Sequence, residues 1–177
     1  MPTRLKIVVS DPSIVMDLAK GRLIEATLAL PYEFVIPDVM LAQDLLDLGS
    51  YTSTDLLRLG FELGELDGGG VGDALRQYQH HHRDLSLNDC FALTLAQRLA
   101  CILMTGDGSL RAIGERTGLE VHGLLWAAEQ ILDRVTCPIR QLLNGLEVLE
   151  RDPLVRLSRP QLLDLIAKLR RIAAVKQ

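Results

Sequence analysis

A chain of 177 residues and 19.6 kDa holds one large domain or two very small ones, and 48% hydrophobic residues suffice for a substantial core, which excludes disordered and fibrous classes. With 19 basic and 23 acidic residues the net charge is −4, so the overall field does not draw nucleic acid and a phosphate partner needs a local binding surface. Cysteines at 90, 101 and 137 make no CxxC pair, and no run of about 18 apolar residues or signal-peptide pattern is present; these features predict a soluble, cytoplasmic protein with buried thiols and no membrane contact.

In chain order, Leu5 to Ser10 (LKIVVS) is a β-branched apolar run ended by Asp11 and Pro12, as in a strand buried on both faces. Residues 13–30 have helical apolar spacing, with Gly21 dividing two helices. EFVIP (33–37) reads as a second strand, and Asp38 begins a helix through about Leu48. Residues 58–66 admit a strand bent by its glycines, and GGGVG (68–72) predicts a flexible joint before a polar helix ending at His80–His82. A helix over 87–100, a strand over 101–105, a helix over 109–117, a strand over 119–122 and a helix over 124–132 follow. This alternation predicts an α/β fold, a parallel sheet with helices on both faces.

Beyond Pro138 the strands stop. Helices are expected over 139–150 and 160–175, each with an apolar stripe: Ile139, Leu142, Leu146 and Leu149, then Leu162, Ile166, Leu169 and Ile172. Residues 151–177 carry seven basic and two acidic side chains, +5, which leaves −9 for residues 1–150. The chain divides into a body, 1–135, and a helical extension, 136–177, that packs on the body or on a second copy.

Several common chemistries lack their motifs. There is no GxGxxG, GxxxxGK[ST], GxSxG or HExxH, and no zinc-spaced Cys/His group. His80–His82 has no acid at metal spacing, and Trp126, among Leu124, Leu125 and Ile131, is read as core. Asp11, Asp89 and Asp107 remain: after the first strand, at the start of the 87–100 helix, and after CILMT. Each alone also reads as a cap or turn: Asp11 before Pro12, Ser86 with Asp89 in a capping box, and Asp107 between two glycines. Together at the carboxyl edge of a parallel sheet they repel one another unless a hard cation such as Mg²⁺ neutralises them.

The strand ending at Asp11 with Ser13 two residues on, FVIPD, LSLNDCFALTLA and ILMTGDGSLRAIGERTGLEVHGLLW together resemble the PIN domain, the nuclease fold of the VapC-type toxin ribonucleases. The resemblance covers about residues 5–132 and implies a three-layer α/β/α fold with a short parallel sheet. It also implies four acidic positions around Mg²⁺ or Mn²⁺, three of them matched by Asp11, Asp89 and Asp107. The fourth falls on the helix after VIP, where the usual spacing reaches Gln43 and one residue more reaches Asp44; both lie at the edges of the buried arc, and Asp44 is taken because an amide cannot neutralise a cation. Ser13, Asn88, Thr105 and Arg111 are candidates for supporting the site or contacting substrate. The resemblance further implies RNA as substrate, a homodimer and, weakly, an antitoxin partner; the rival reading is an inactive module that binds RNA or protein.

Overall fold

Residue alternation along three short strands sets the layers. The structure, a computed structural model, describes residues 5–9, 12–42 and 51–175. β1 (Leu5–Val9) leads to α1 (Pro12–Lys20) and α2 (Ile24–Leu28), and β2 (Tyr32–Pro37) to α3 (Asp38–Ala42) and α4 (Ser53–Leu59). β3 (Glu62–Gly64) precedes α5 (Gly68–His81) and α6 (Leu87–Leu99), and β4 (Ile102–Met104) precedes α7 (Gly108–Arg116). β5 (Val121–His122) is followed by α8 (Leu124–Arg134), α9 (Ile139–Arg151) and α10 (Arg159–Val175).

The strands pair in the order β3-β2-β1-β4-β5, all parallel. Ile7 of β1 sits level with Phe34 on one side and Ile102 on the other. Because successive side chains of a strand face opposite ways, Ile7, Val9, Phe34, Ile36, Ile102 and Met104 enter one core cluster, which α1, α2, α8, α9 and α10 cover. Val8, Val35 and Leu103 enter the other, under α6 and α7. The result is a three-layer α/β/α fold on a short parallel sheet.

The apolar stripes of the last two helices are spent on this core. Leu142, Leu146 and Leu149 of α9 and Leu162, Ile166 and Leu169 of α10 are buried in the same cluster as Ile7 and Phe34. The contact is close: a Cβ on Gly145 would stand 2.5 Å from the carbonyl oxygen of Gly21. Gly21 also ends α1 as expected, in a turn where the Leu23 amide donates to the Leu18 carbonyl at 2.8 Å.

Two expectations are corrected. Residues 68–72 are not a flexible joint but the first turns of α5. Asp67 caps the helix, accepting the Gly70 amide at 2.7 Å, and Arg98 of α6 donates to Asp67 at 2.8 Å and to Asp73 at 2.9 Å. Glycine serves close approach there, since a Cβ on Gly70 would stand 2.9 Å from Leu66 Cδ2. The stretch from 58 to 66 is the end of a helix followed by a three-residue strand, not one bent strand. α4 starts from a capping box, Thr52 with Asp55. The strand expected at 119–122 is paired at Val121 and His122. The helix from Asp38 is described as far as Ala42; its predicted remainder, with Gln43 and Asp44, lies outside the described residues.

Candidate active site

The strand order places a crevice before any side chain is considered. The chain steps outward from β1 to β2 and β3, then returns to lay β4 and β5 on the other side of β1. The connections leaving β1 and β4 therefore diverge, and the carboxyl ends of these two strands open a switch-point crevice where ligands bind in open parallel sheets. A cleft of about 920 Å³ lies there. Ser13 of α1 lines it from the β1 side, and Thr105, Asp107 and Arg111 from the β4 side.

The segment after β4 is built to hold Asp107 at the edge. Thr105 is fully buried; its amide donates to the His122 carbonyl at 2.9 Å, continuing the pairing of β4 with β5, and its hydroxyl oxygen accepts the Asp107 amide at 3.0 Å. Asp107 is the N-cap of α7, with Oδ1 accepting the Leu110 amide at 2.7 Å. Oδ2 has no hydrogen bond among the described residues, and the residue is exposed. Arg111 spends its guanidinium on backbone, donating to the Val121 carbonyl at 3.1 Å and the Thr105 carbonyl at 3.4 Å, with Glu115 at 3.8 Å. It braces the ends of β4 and β5.

Asp89 reaches the same edge by another route. The last turn of α6 feeds the amino end of β4 through Ala100 and Cys101, so the first turn of α6 is the one that meets α3 at the carboxyl end of β2. Asp89 Oδ2 accepts the Ser86 amide at 2.9 Å and the Ser86 hydroxyl at 2.6 Å, while the Ser86 oxygen accepts the Asp89 amide at 3.2 Å, a complete capping box. Oδ1 has no hydrogen bond among the described residues. Asn88 and Asp89 are half-buried and stand outside the lining of the cleft that holds Ser13, Thr105, Asp107 and Arg111.

Asp11, two residues past Val9 in sequence, and the Gln43/Asp44 alternatives lie outside the described residues. Among the described residues no three His, Cys, Asp or Glu side chains form a group able to hold a metal ion. Asp89 and Asp107 each offer one uncommitted carboxylate oxygen, a hard donor of the kind that Mg²⁺ and Mn²⁺ select. The donor chemistry therefore fits such an ion at these two positions.

Some residues of the cleft were not singled out from sequence. The His122 ring stacks on Trp126 with centroids 4.2 Å apart and planes 2° from parallel, and its Nε2 is 2.6 Å from Glu120 Oε1. Trp126 is not core alone: it packs against the core cluster and also lines the cleft. Only the VHGLLW spacing, which sets a ring on each side of a strand-to-helix turn, hinted at the pair. Asp17 of α1, 8% exposed, and Arg156, beyond α9, also line the cleft, and neither carried a motif. The thiols offer no nucleophile: burial, with the Asp89 charge adding to it, pushes Cys90 up to about 11, and burial also raises Cys101 and Cys137.

The far side of the cleft is tethered by an ion pair. Lys20 Nζ lies 2.7 Å from Asp152 Oδ2 and 3.9 Å from Asp17 Oδ1, joining α1 to the connection between α9 and α10. Lys20 and the Leu154 amide hold Asp152 below the usual carboxylate range, and Asp152 first, then Asp17, holds Lys20 above its own. The carboxylate's contribution is present above about pH 4 and is lost as pH falls through its lowered pKa. The ammonium's is present below about pH 10 and is lost as pH rises through its raised one. In urea melts, the gap in midpoint between wild type and Lys20→Met is expected to be present at pH 7 and to close as pH falls below about 4. A gap unchanged at pH 2.5 would show that the pair does not provide it.

A family model described as a PIN domain matches residues 7–171. No curated protein gives a match. No helix among the described residues is long and apolar enough to cross a membrane.

Proposed function

The chain belongs to the PIN-domain family, whose fold generally carries nuclease activity, and from that premise we propose that it is a Mg²⁺- or Mn²⁺-dependent endoribonuclease. The observation that carries the reading is Asp107, which lines the switch-point cleft with one carboxylate oxygen uncommitted, on a loop fixed by buried Thr105. Asp11, Asp44, Asp89 and Asp107 would hold the ion. When bound, it supplies Lewis-acid stabilisation of a phosphodiester and a nucleophilic water at neutral pH.

The chain's own residues do the positioning. Thr105 holds the Asp107 backbone amide and the Leu110 amide holds its carboxylate, Arg111 keeps β4 and β5 in register beside it, and Ser13 lines the same cleft. Asn88 lies next to Asp89 at the start of α6, where its amide would serve a substrate that extends past the cleft. Water, not the ribose 2′-hydroxyl, attacks, so the products carry 5′-phosphate and 3′-hydroxyl ends. Residues 1–135 form the nuclease unit, and 136–177 complete its core. The toxin role, with an antitoxin partner and a homodimer, rests on the VapC-like motifs and extends the same proposal.

Purified protein incubated with a folded RNA is expected to cleave it with Mg²⁺ or Mn²⁺ and to stop in EDTA, leaving fragments that ligate through a 5′-phosphate. Cleavage that is indifferent to EDTA would overturn the metal-dependent reading. Binding without cleavage would favour the rival, an inactive module, which the capping roles of Asp89 and Asp107 support.

A further inference from the structure

An acidic body has to cleave a polyanion, so a cation must face the acids. The connection between α9 and α10 and the first turn of α10 also line the cleft, through Arg156 and Ser158 and through Gln161. Among the described residues, three cations line this cleft: Lys20, Arg111 and Arg156. Lys20 is spent on Asp152 and Asp17, and Arg111 on the Val121 and Thr105 carbonyls. Arg156 is exposed and has no ion pair or hydrogen bond among the described residues. Elsewhere in the basic extension Arg159 is paired to Glu150 at 2.6 Å and Arg170 to Glu147 at 2.7 Å, and neither these two nor Arg151, Lys168 and Arg171 line the cleft.

We propose that Arg156 is a substrate-binding residue: its guanidinium grips a backbone phosphate of a single-stranded RNA segment lying along the cleft that Asp107 also lines. The proposal rests on the ribonuclease reading and adds to it a specific role for the helical extension, which contributes part of the cleft lining as well as part of the core. The planar guanidinium is suited to two phosphate oxygens at once, whereas an ammonium binds as a point charge. Its connection is anchored within the cleft by Lys20 on Asp152 and by the Leu154 amide on Asp152 Oδ1 at 2.9 Å, so the arginine is presented on a fixed wall. A single strand is favoured because its bases are free to stack, and the cleft lining carries the Trp126 ring with His122 stacked on it.

The test uses the full chain and a fluorescein-labelled oligouridylate in EDTA, where cleavage cannot interfere, with anisotropy read across about 25 to 200 mM salt. Arg156→Ala is expected to weaken binding about fivefold and to flatten the slope of log affinity against log salt by about 0.7, the signature of one lost phosphate contact on a single strand. Arg156→Lys is expected to keep the slope and recover part of the affinity. Arg159→Ala, three residues away on a paired guanidinium, is expected to leave both unchanged. An Arg156→Ala slope equal to wild type would overturn the assignment while wild-type binding and Mg²⁺-dependent cleavage left the nuclease reading standing. Wild-type protein that neither binds the probe nor cleaves RNA would overturn both.

Discussion

Asp107→Asn is expected to lower Mg²⁺-dependent RNA cleavage about 100- to 1,000-fold while leaving thermal stability nearly unchanged. The two effects separate because Asp107 has two jobs on two oxygens. Oδ1 caps α7 through the Leu110 amide, and asparagine is as good an N-cap as aspartate, so the helix start survives. Oδ2 is the uncommitted oxygen, and an amide in its place removes the negative charge that a divalent cation requires, at a cost of several kcal/mol in transition-state stabilisation. Asp107→Ala is expected to lose both jobs, with the same fall in activity and about 1 kcal/mol of stability besides. Initial rates on a labelled RNA and melts by circular dichroism check the pair. Full activity in Asp107→Asn would show that the carboxylate is only a cap, and the metal-dependent reading would fall with it.

That separation also shows what could be read from the chain and what could not. The three central strands were legible because each is a short apolar run closed by a polar residue, and burial on both faces leaves little room for other patterns. The position of Asp107 was legible because T-G-D follows such a strand directly. Capping and metal binding ask for the same residue at the same place, so sequence alone could not divide the two roles; only the separate fates of Oδ1 and Oδ2 do so. The glycines of 68–72 misled for a related reason: glycine is selected both by freedom and by close approach, and here Leu66 and Arg98 demand the second. Arg156 was invisible because its meaning depends on which other cations are already paired, and those pairs, such as Lys20 with Asp152, join residues 132 positions apart.

The second large effect concerns stability and reports on the extension. Gly145→Ala is expected to destabilise the protein by about 2 kcal/mol, although alanine gains about 1 kcal/mol over glycine in a helix interior. The added carbon would stand 2.5 Å from the Gly21 carbonyl oxygen and 3.1 Å from Leu23 Cγ. The first of these neighbours is backbone and cannot swing aside as a flexible side chain would. α9 would have to withdraw from the turn between α1 and α2, and with it Leu142, Leu146 and Leu149 would lose contacts with the core they share with β1. For a chain of this size the loss corresponds to a melting temperature lower by about 4 to 8 °C. Val148→Ala, on the exposed face of the same helix, is the control and is expected to change little. Equal melting temperatures for wild type and Gly145→Ala would mean that α9 is not seated against the turn, and a chain ended before residue 136 could then keep its fold. Withdrawal of α9 also moves the connection that carries Arg156, so RNA affinity in EDTA should fall in Gly145→Ala even at temperatures where the protein is fully folded, whereas Asp107, held by Thr105 and Leu110, keeps its place.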